Sequence, residues 1–296
     1  MVPVWSSGFI VGTLAVRHAP GLSLLFWRMT VAMLVMGAIA MAFRAPWPRD
    51  RRTILQMVVV GLLLQAAQFV GIFLALQNGV AAGLVALLAG SSPLLVAVLA
   101  TVFLDEHLEP SQWVGSAIGV GGVVLAVAEE LNAGGSAMGF VFALIGLAGL
   151  VGGTLVQRGS GVKVDPKVAN TIQLAVAAVV ITPLAALDQG FGISAAALAP
   201  LAWLTFGLSI GAVMLFFWLL RNEKSGEATS FLYLVPATTA IAGVPILGQP
   251  LQLGAVIGLA LALVGVWMVS APAESLSRDG WGRRFAPLRR LIQGST

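Results

Sequence analysis

The sequence predicts an all-α integral membrane protein whose ten transmembrane helices form two inverted five-helix repeats. Two observations carry this prediction. The chain is 58% hydrophobic with only 9% charged residues and a mean hydropathy of +0.97, and its apolar runs fall into two similar halves. Soluble domains carry about 25% charged residues, so a chain this poor in charge could not cover a water-exposed surface. The composition therefore favours an integral membrane protein.

Apolar runs separated by polar, glycine or proline residues mark ten spans joined by short loops. Their lengths suit helices rather than barrel strands, because a helix satisfies its own backbone groups and needs about 20 residues to cross the hydrocarbon core. The first run is short and has no basic leading segment, so it is interpreted as a helix that could begin further upstream, not as a signal peptide. The predicted spans are residues 1–16, 21–43, 54–76, 79–102, 110–128, 138–157, 168–187, 197–219, 226–247 and 251–271.

Lysine and arginine are distributed very unequally between the two sides of these spans. Fourteen of the 16 lie in the loops after spans 2, 6 and 8 and in the tail, whereas Arg17 lies on the other side and Arg28 within span 2. The positive-inside rule then puts both termini in the cytoplasm, and the expected location is the bacterial inner membrane. The basic tail, 272–296, is predicted either to lie on the membrane surface or to be solvated there.

The two halves align when the chain is shifted by 141 to 143 residues. At the longer shift Pro93 falls on Pro236, and at the shorter one the segment Gly-Thr-Leu that precedes Arg17 falls on the same segment before Arg158. Each half holds five spans, and an odd number makes the second half enter the membrane with opposite polarity. The predicted repeats are residues 1–132 and 133–271.

Three stretches carry the most characteristic patterns of the sequence. WSSGFIVGTLAV occupies the first span, APGLSLLFWRMTVAML leads through Arg28 along the second, and SSPLLVAVLATVFLDEHLEPSQWVGSAIGVGGVVL joins a mid-span proline to Glu106 and a glycine-rich span. Together they resemble the EamA-type, ten-helix members of the drug/metabolite transporter superfamily, over residues 3–271. The sequence departs from that pattern at Gln249, where the second half of the signature usually has a glutamate. The role of Glu106 is therefore not expected to be duplicated.

The resemblance implies both an architecture and a function. Spans 1–4 and 6–9 would surround a central cavity, which alternating access would expose to each side in turn, with spans 5 and 10 outside. We therefore expect a secondary transporter that exports small amphipathic metabolites, above all amino acids, including aromatic or hydrophobic ones as in YddG-like exporters. A sugar or nucleotide-sugar carrier and a multidrug or cation exporter are the alternatives within the superfamily.

Polar and aromatic side chains at bilayer depth are the candidates for substrate contact, because they are costly there unless they face protein or water. Gln65 and Gln68 lie three residues apart in span 3 and Phe69 follows Gln65 by four, which predicts a shared helical face. The alternative for the glutamines is hydrogen bonding between helices, and for Tyr233 it is an interfacial anchor. The predicted substrate-binding residues are Trp5, Ser7, Gln65, Gln68, Phe69, Ser91, Thr154, Ser230 and Tyr233.

Two prolines and two charged residues complete the candidate site. Pro93 and Pro236 fall about halfway along their spans, where each removes a backbone donor, and we expect them to be bending points for gates on opposite sides of the cavity. Arg28 and Glu106 are predicted to be structural charges. For Arg28 the alternatives are carboxylate binding within the bundle and snorkelling toward the surface.

Glycines four residues apart in spans 5 and 10 predict close helix contacts, which would either join the two halves or form a homodimer.

Several classes of function are excluded or disfavoured. The chain has no cysteine, which excludes disulfides and thiolate chemistry, and no Walker A phosphate-binding loop for ATP-driven transport. Acidic residues fall at span ends and not mid-membrane, so no proton carrier is evident and facilitative or gradient-driven export is the hypothesis. An intramembrane enzyme would need clustered acidic or histidine residues, nucleic acid would need a basic face, and a channel would show flux without saturation. No cofactor or metal is expected, and the partners are a small-molecule substrate and the lipid bilayer.

Overall fold

The computed structural model describes residues 2–160, 164–188, 191–212, 215, 231–249 and 252–270. Ser230, one of the predicted substrate-binding residues, and the basic tail 272–296 lie outside these ranges. Within the described residues the secondary structure is helical throughout, with no strand, which confirms the predicted all-α class.

Helices of the described chain coincide with the ten predicted spans, and the ends that the structure describes differ by only a few residues. The predicted end of span 8 at residue 219 and the predicted start of span 9 at residue 226 lie outside the described ranges. Eight of them are long and apolar enough to cross a membrane, while α1 and the main part of α9 are shorter apolar helices. Two helices are described only in part: α8 over Ala195–Ala212, and α9 as a 3₁₀ turn Phe231–Leu234 that continues into Val235–Leu247. The others are α1 Val2–Val16, α2 Gly21–Ala42, α3 Arg51–Gln77, α4 Ala82–Phe103, α5 Pro110–Asn132, α6 Ala137–Gly159, α7 Pro166–Asp188 and α10 Leu253–Ser270.

Local signals in the sequence set where several of these helices begin and end. The Asp50 carboxylate accepts a hydrogen bond from the Thr53 backbone N–H (2.7 Å) and caps the start of α3. The same bond lowers the pKa of Asp50. At the other ends, α3, α5 and α9 are followed by Gly79, Gly134 and Gly248, each with a positive φ that a residue with a side chain rarely adopts.

Helix packing has the symmetry that an inverted repeat requires. Helices α2 and α7, α4 and α9, and α5 and α10 pack against their own counterparts in the other half. Two further contacts recur in pairs: α3 packs on α6 as α8 packs on α1, and α4 packs on α6 as α9 packs on α1. Since successive helices alternate in direction, one side of the bundle carries the arginine-rich loop 43–50 and the loops 104–109 and 160–165, and we call it the arginine side.

Glycines hold α5 and α10 in backbone contact. A Cβ placed on Gly122 would lie 2.5 Å from the Gly258 carbonyl oxygen and 2.6 Å from the Ala262 nitrogen, and Gly119 and Gly265 are in similar contact. Small residues allow this approach, and dispersion contacts stabilise it in lipid. The glycine faces predicted from four-residue spacing are therefore occupied within the chain, and the predicted homodimer would need other faces of α5 and α10.

Adding one methyl group to this contact tests it. We expect Gly122→Ala to destabilise the protein by about 1–3 kcal/mol, because the new Cβ would overpack a backbone contact. Gly121→Ala is the matched control, because no atom lies within 4 Å of its Cβ position and both changes gain the same helix propensity. Thermal unfolding of the two variants in detergent measures the difference, and equal melting temperatures would contradict the contact.

Candidate functional site

Two helices in equivalent positions of the halves widen into π-helix. In α3 this segment is Gly61–Ala67 and in α8 it is Trp203–Ala212, so the two begin 142 residues apart, in agreement with the repeat shift. Such segments often mark functional sites, and their i→i+5 bonds change the spacing of side chains. The α-helical spacing that placed Gln65 and Gln68 on one face therefore does not apply to Gln65, which lies inside the π segment.

The interruptions of α4 and α9 lie against each other. Helix α4 breaks at Ser91 and restarts at Ser92, with Pro93 in its first turn, and Pro236 holds the same place where α9 changes from 3₁₀ to α-helix. A Cβ on Gly90 would lie 2.6 Å from Cγ of Pro236, so the backbone of α4 rests directly on that proline ring. The two predicted bending points therefore meet where the helices cross, and their gating role stays a prediction.

Hydroxyl groups satisfy backbone carbonyls beside these interruptions. The Ser91 Oγ donates to the Leu88 carbonyl at 2.7 Å, and the side chain is only 4% exposed. In α9 the Val235 carbonyl accepts from Ser6 of α1 (3.2 Å) and from Thr239 (2.8 Å). The Leu88 carbonyl also accepts the backbone N–H of Ser91 (3.2 Å), so the Ser91 hydroxyl is engaged within its own helix.

Two other predicted contact residues use their polar atoms on the protein itself, and a third packs against apolar residues. Ser7 donates to the Val4 carbonyl (2.6 Å) and accepts from the Trp203 indole N–H (2.8 Å), and Thr154 donates to the Leu150 carbonyl (2.7 Å). Tyr233 is partly buried against the cluster of Leu94, Val266 and Val269 between α4 and α10.

Two further predicted residues, Trp5 and Gln68, lie at contacts between helices. Trp5 in α1 packs against the main apolar core, and its indole Nε1 is buried without a hydrogen-bond partner. The backbone of Gln68 lies against α6, where Cβ atoms on Gly146 and Gly149 would lie 3.0 and 2.7 Å from its carbonyl oxygen and nitrogen.

Arg28 connects the two halves inside the bundle. It is 5% exposed, its Nε donates to the Ser209 hydroxyl of α8 (3.0 Å), and its guanidinium lies 4.4 Å from the ring centre of Phe69 and 5.9 Å from that of Phe73. Within the described part of the chain no carboxylate forms an ion pair with it. The side chain thus faces the bundle and does not snorkel outward, and aromatic faces stabilise its charge.

Equivalent arginines end α1 and α6 on opposite sides of the protein. Arg158 forms an ion pair with Glu106 at 3.1 Å beyond the end of α4, and both side chains are about half exposed. Arg17 donates instead to the Leu247 carbonyl at the end of α9 (3.2 Å). Gln249, which replaces the expected glutamate, accepts from the backbone N–H of Ala82 (3.1 Å) and caps α4.

A pocket of about 600 Å³ lies between α3, α4 and α6 at their ends on the arginine side. Beyond it, toward the opposite side, Gly71 of α3 and Gly146 of α6 touch through their backbones, so the two helices separate only near the arginine side. The described lining is apolar, with Leu55, Val59, Phe103, Leu104, Leu155 and Val156, apart from Arg52, Gln56 and Ser160.

The predicted substrate-binding residues do not line this pocket, and sequence reasoning missed those that do. Arg52 was counted as a signal of orientation, and Gln56 was not considered. A usable signal was present, because Arg52 and Gln56 are four residues apart at the start of one apolar span and so share a helical face.

Hydrogen bonds join the described loops on the side opposite the arginine side. The Ser194 hydroxyl donates to the His18 carbonyl (2.8 Å), and the Trp27 indole donates to the Phe191 carbonyl (2.9 Å). Gln77 accepts from the backbone N–H of Gly21 (2.7 Å). Hydrogen bonds therefore hold the described helix ends together on this side, whereas the ends of α3, α4 and α6 are separated by the pocket on the arginine side.

A helical bundle with inverted repeats, paired helix breaks and a pocket reached from one side is the architecture of secondary transporters. The model of the EamA-like transporter family matches this chain twice, over residues 2–128 and 137–271. The chain therefore belongs to the EamA-like transporter family, as the resemblance predicted.

Relatives of known description are distant. The uncharacterized transporter YvbV of Bacillus subtilis is 21% identical over 93% of this chain and 90% of its own length. The uncharacterized inner membrane transporter YedA of Escherichia coli K12 is 25% identical over 84% and 81%. A probable amino-acid metabolite efflux pump of Salmonella typhimurium is 28% identical over 49% of this chain and 46% of its own length.

A solved crystal structure superimposes on the chain with a TM-score of 0.61. The match covers 90% of this chain and 94% of the other, at 17% sequence identity. A likeness at this level of identity concerns the fold alone. Membership of the EamA-like transporter family, and not this likeness, makes the chain a transporter and not an enzyme.

A double-mutant cycle tests the contact between Arg28 and Ser209. We expect Arg28→Lys and Ser209→Ala to show a coupling of about 1.5–3 kcal/mol in the free energy of unfolding, because a hydrogen bond to a charged group contributes that much. Thr205→Ala in place of Ser209→Ala is the control, since the Thr205 hydroxyl bonds only the Leu201 carbonyl of its own helix (2.8 Å). Additive effects in both cycles would mean that the contact stabilises nothing.

Proposed function

We propose that this protein is a secondary transporter that exports small amphipathic metabolites, above all amino acids with hydrophobic or aromatic side chains. The observation that carries the proposal is the pocket between α3, α4 and α6, set in a family of transporters. Alternating access requires a site open to one side while the other is closed. A much smaller pocket of about 50 Å³ lies on the opposite side, beside Ala81, Glu130 and Gln249, and the hydrogen-bonded loops there are consistent with a state that is more open on the arginine side.

The pocket has the chemistry of an amphipathic ligand site. Apolar walls with a few placed polar groups are typical of small-molecule pockets, and about 600 Å³ accommodates a molecule of amino-acid size. The similarity to an efflux pump for amino-acid metabolites in Salmonella typhimurium supports the same substrate class. A sugar or cation carrier is the second candidate, but few polar side chains line the pocket for hydroxyl groups, and no described lining residue is acidic.

We propose that export is driven either by the concentration gradient of the substrate itself or by an ion gradient. Acidic residues of the described spans lie at helix ends, as Glu129 and Glu130 do near the end of α5, and the described residues contain no cluster of three His, Asp or Glu. Transport in proteoliposomes without an imposed gradient would support a facilitative mechanism. A strict need for a proton or sodium gradient would overturn it.

A bulky side chain in the pocket tests whether substrate passes through it. We expect Gly152→Phe to reduce counterflow of amino acids in proteoliposomes more than tenfold while the melting temperature stays unchanged. The Gly152 Cβ position has its nearest neighbour at an ordinary 3.6 Å, so the ring would project into the pocket. Gly121→Phe, with open space at its Cβ, is the control. Normal counterflow by Gly152→Phe would show that the pocket is not on the route.

The proposed orientation puts both termini and the arginine side in the cytoplasm of a bacterium. The chain has no cysteine, so single-cysteine variants can be labelled without background. We expect a membrane-impermeant maleimide to label Asn78→Cys in intact cells but Arg49→Cys only in inverted vesicles. Both positions are exposed, in loops on opposite sides of the bundle. The reverse pattern would invert the orientation.

A further inference from the structure

The charge in the pocket has a single sign. Of the described residues that line it, only Arg52 is charged. Outside the lining, the Asp50 carboxylate accepts from the Thr53 N–H, and Glu106 is paired with Arg158. A ligand in the pocket therefore meets one cation and no acidic side chain among the described lining residues.

Gln56 supplies an unused hydrogen-bond donor one helical turn from Arg52. It lines the pocket, and its Nε2 is buried without a hydrogen-bond partner. A buried donor without an acceptor costs about as much as a lost hydrogen bond, so an acceptor brought by a ligand would bind favourably once the amide turns toward it. Arg52 and Gln56 share a face of α3 because they are four residues apart.

Apart from Ser160, the rest of the described pocket wall is apolar. Leu55, Phe103 and Leu155 are among the described residues that line it. A ligand that fits must pair an acidic oxygen at the Arg52 end with an apolar body along these residues. No described residue of the pocket wall carries a negative charge. The ammonium group of an amino acid would therefore find no ion-pair partner here and would add nothing to binding.

We propose that the pocket recognises its ligand by a carboxylate, held by Arg52 and Gln56, and by a branched or aromatic hydrocarbon body, and that it does not read the ammonium group. This inference deepens the proposed function and rests on it, because it treats the pocket as the transport site. It assigns Gln56 as the specificity-determining residue and Arg52 as the electrostatic anchor.

Four ligands of similar size separate the contributions. The purified full-length protein is titrated in detergent with leucine, 4-methylpentanoate, 4-methylpentanamide and 3-methylbutylamine, and ligand-induced shifts of the melting temperature give apparent affinities. We expect leucine and 4-methylpentanoate to bind with affinities within about threefold of each other, and the amide and the amine to bind at least tenfold more weakly. Equal binding of the amine or the amide would overturn the proposal.

Variants of α3 assign the effect to the two residues. Gln56→Leu is expected to weaken binding of 4-methylpentanoate about tenfold and Arg52→Gln about fivefold, with the latter effect smaller at high salt because Arg52 is exposed. Arg51→Gln is the matched control, an exposed neighbouring arginine outside the pocket lining. A loss as large in the control would overturn the assignment.

A variant that introduces a negative charge keeps the test decisive if Gln56→Leu fails to fold. Gln56→Glu keeps the size of the side chain, so it is expected to weaken 4-methylpentanoate and to strengthen 3-methylbutylamine at least tenfold. Counterflow of leucine is measured beside binding. Carboxylate-dependent binding without counterflow would overturn the transport proposal and leave the recognition proposal standing, whereas counterflow without carboxylate-dependent binding would do the opposite.

Discussion

Two helices of this bundle are interrupted at membrane depth, and the hydrogen-bonding requirement at these interruptions governs how the halves meet. Carbonyl groups at membrane depth need donors from the protein; here the Ser91 hydroxyl adds to the Ser91 N–H that the Leu88 carbonyl already accepts, and Ser6 reaches across from α1 to the Val235 carbonyl. The bond of Ser6 ties α1 to α9, and the contact of Gly90 with Pro236 ties α9 to α4. The position of α4, one wall of the pocket, follows from these contacts.

The symmetry of the backbone is not matched by symmetry of charge. Arg17 and Arg158 occupy equivalent helix ends, yet one bonds a carbonyl and the other an acidic side chain. Gln249 binds a backbone N–H through a neutral amide, so its bond depends on neither salt nor pH. The Arg158–Glu106 pair is half exposed, and such pairs contribute at most about 1 kcal/mol and are screened by salt. The two sides of the protein are thus held by interactions of different kind.

Hydropathy predicted the helices, because it depends on composition over many residues, and the alignment of the chain with itself predicted the repeat. Glycine spacing predicted close contacts of α5 and α10, and the structure shows that these join the two halves. The π segments at Gly61 and Trp203 leave no such pattern, since they arise from packing against neighbouring helices. The pocket was missed for a related reason. In the sequence, an arginine at the position of Arg52 is explained equally well as a signal of membrane orientation and as a residue that lines a pocket. Only the three-dimensional separation of α3 from α6 shows that Arg52 lines a pocket. Polar residues chosen by depth, such as Ser91 and Thr154, proved to bond their own helices.

The backbone contacts of α3 with α6 extend from Gly71 against Gly146 to Leu63 against Gly149, and the pocket lies beyond them. Seven residues separate Leu63 from Gln56, which is about 10 Å of helix at the usual rise. A bend of about 20° at Leu63 would carry Gln56 by about 4 Å, close to the diameter of a methyl group, while the glycine contacts stay in place. The glycines thus fix one part of α3 and leave its pocket end as the part whose modest bend would open a passage the width of a hydrocarbon chain.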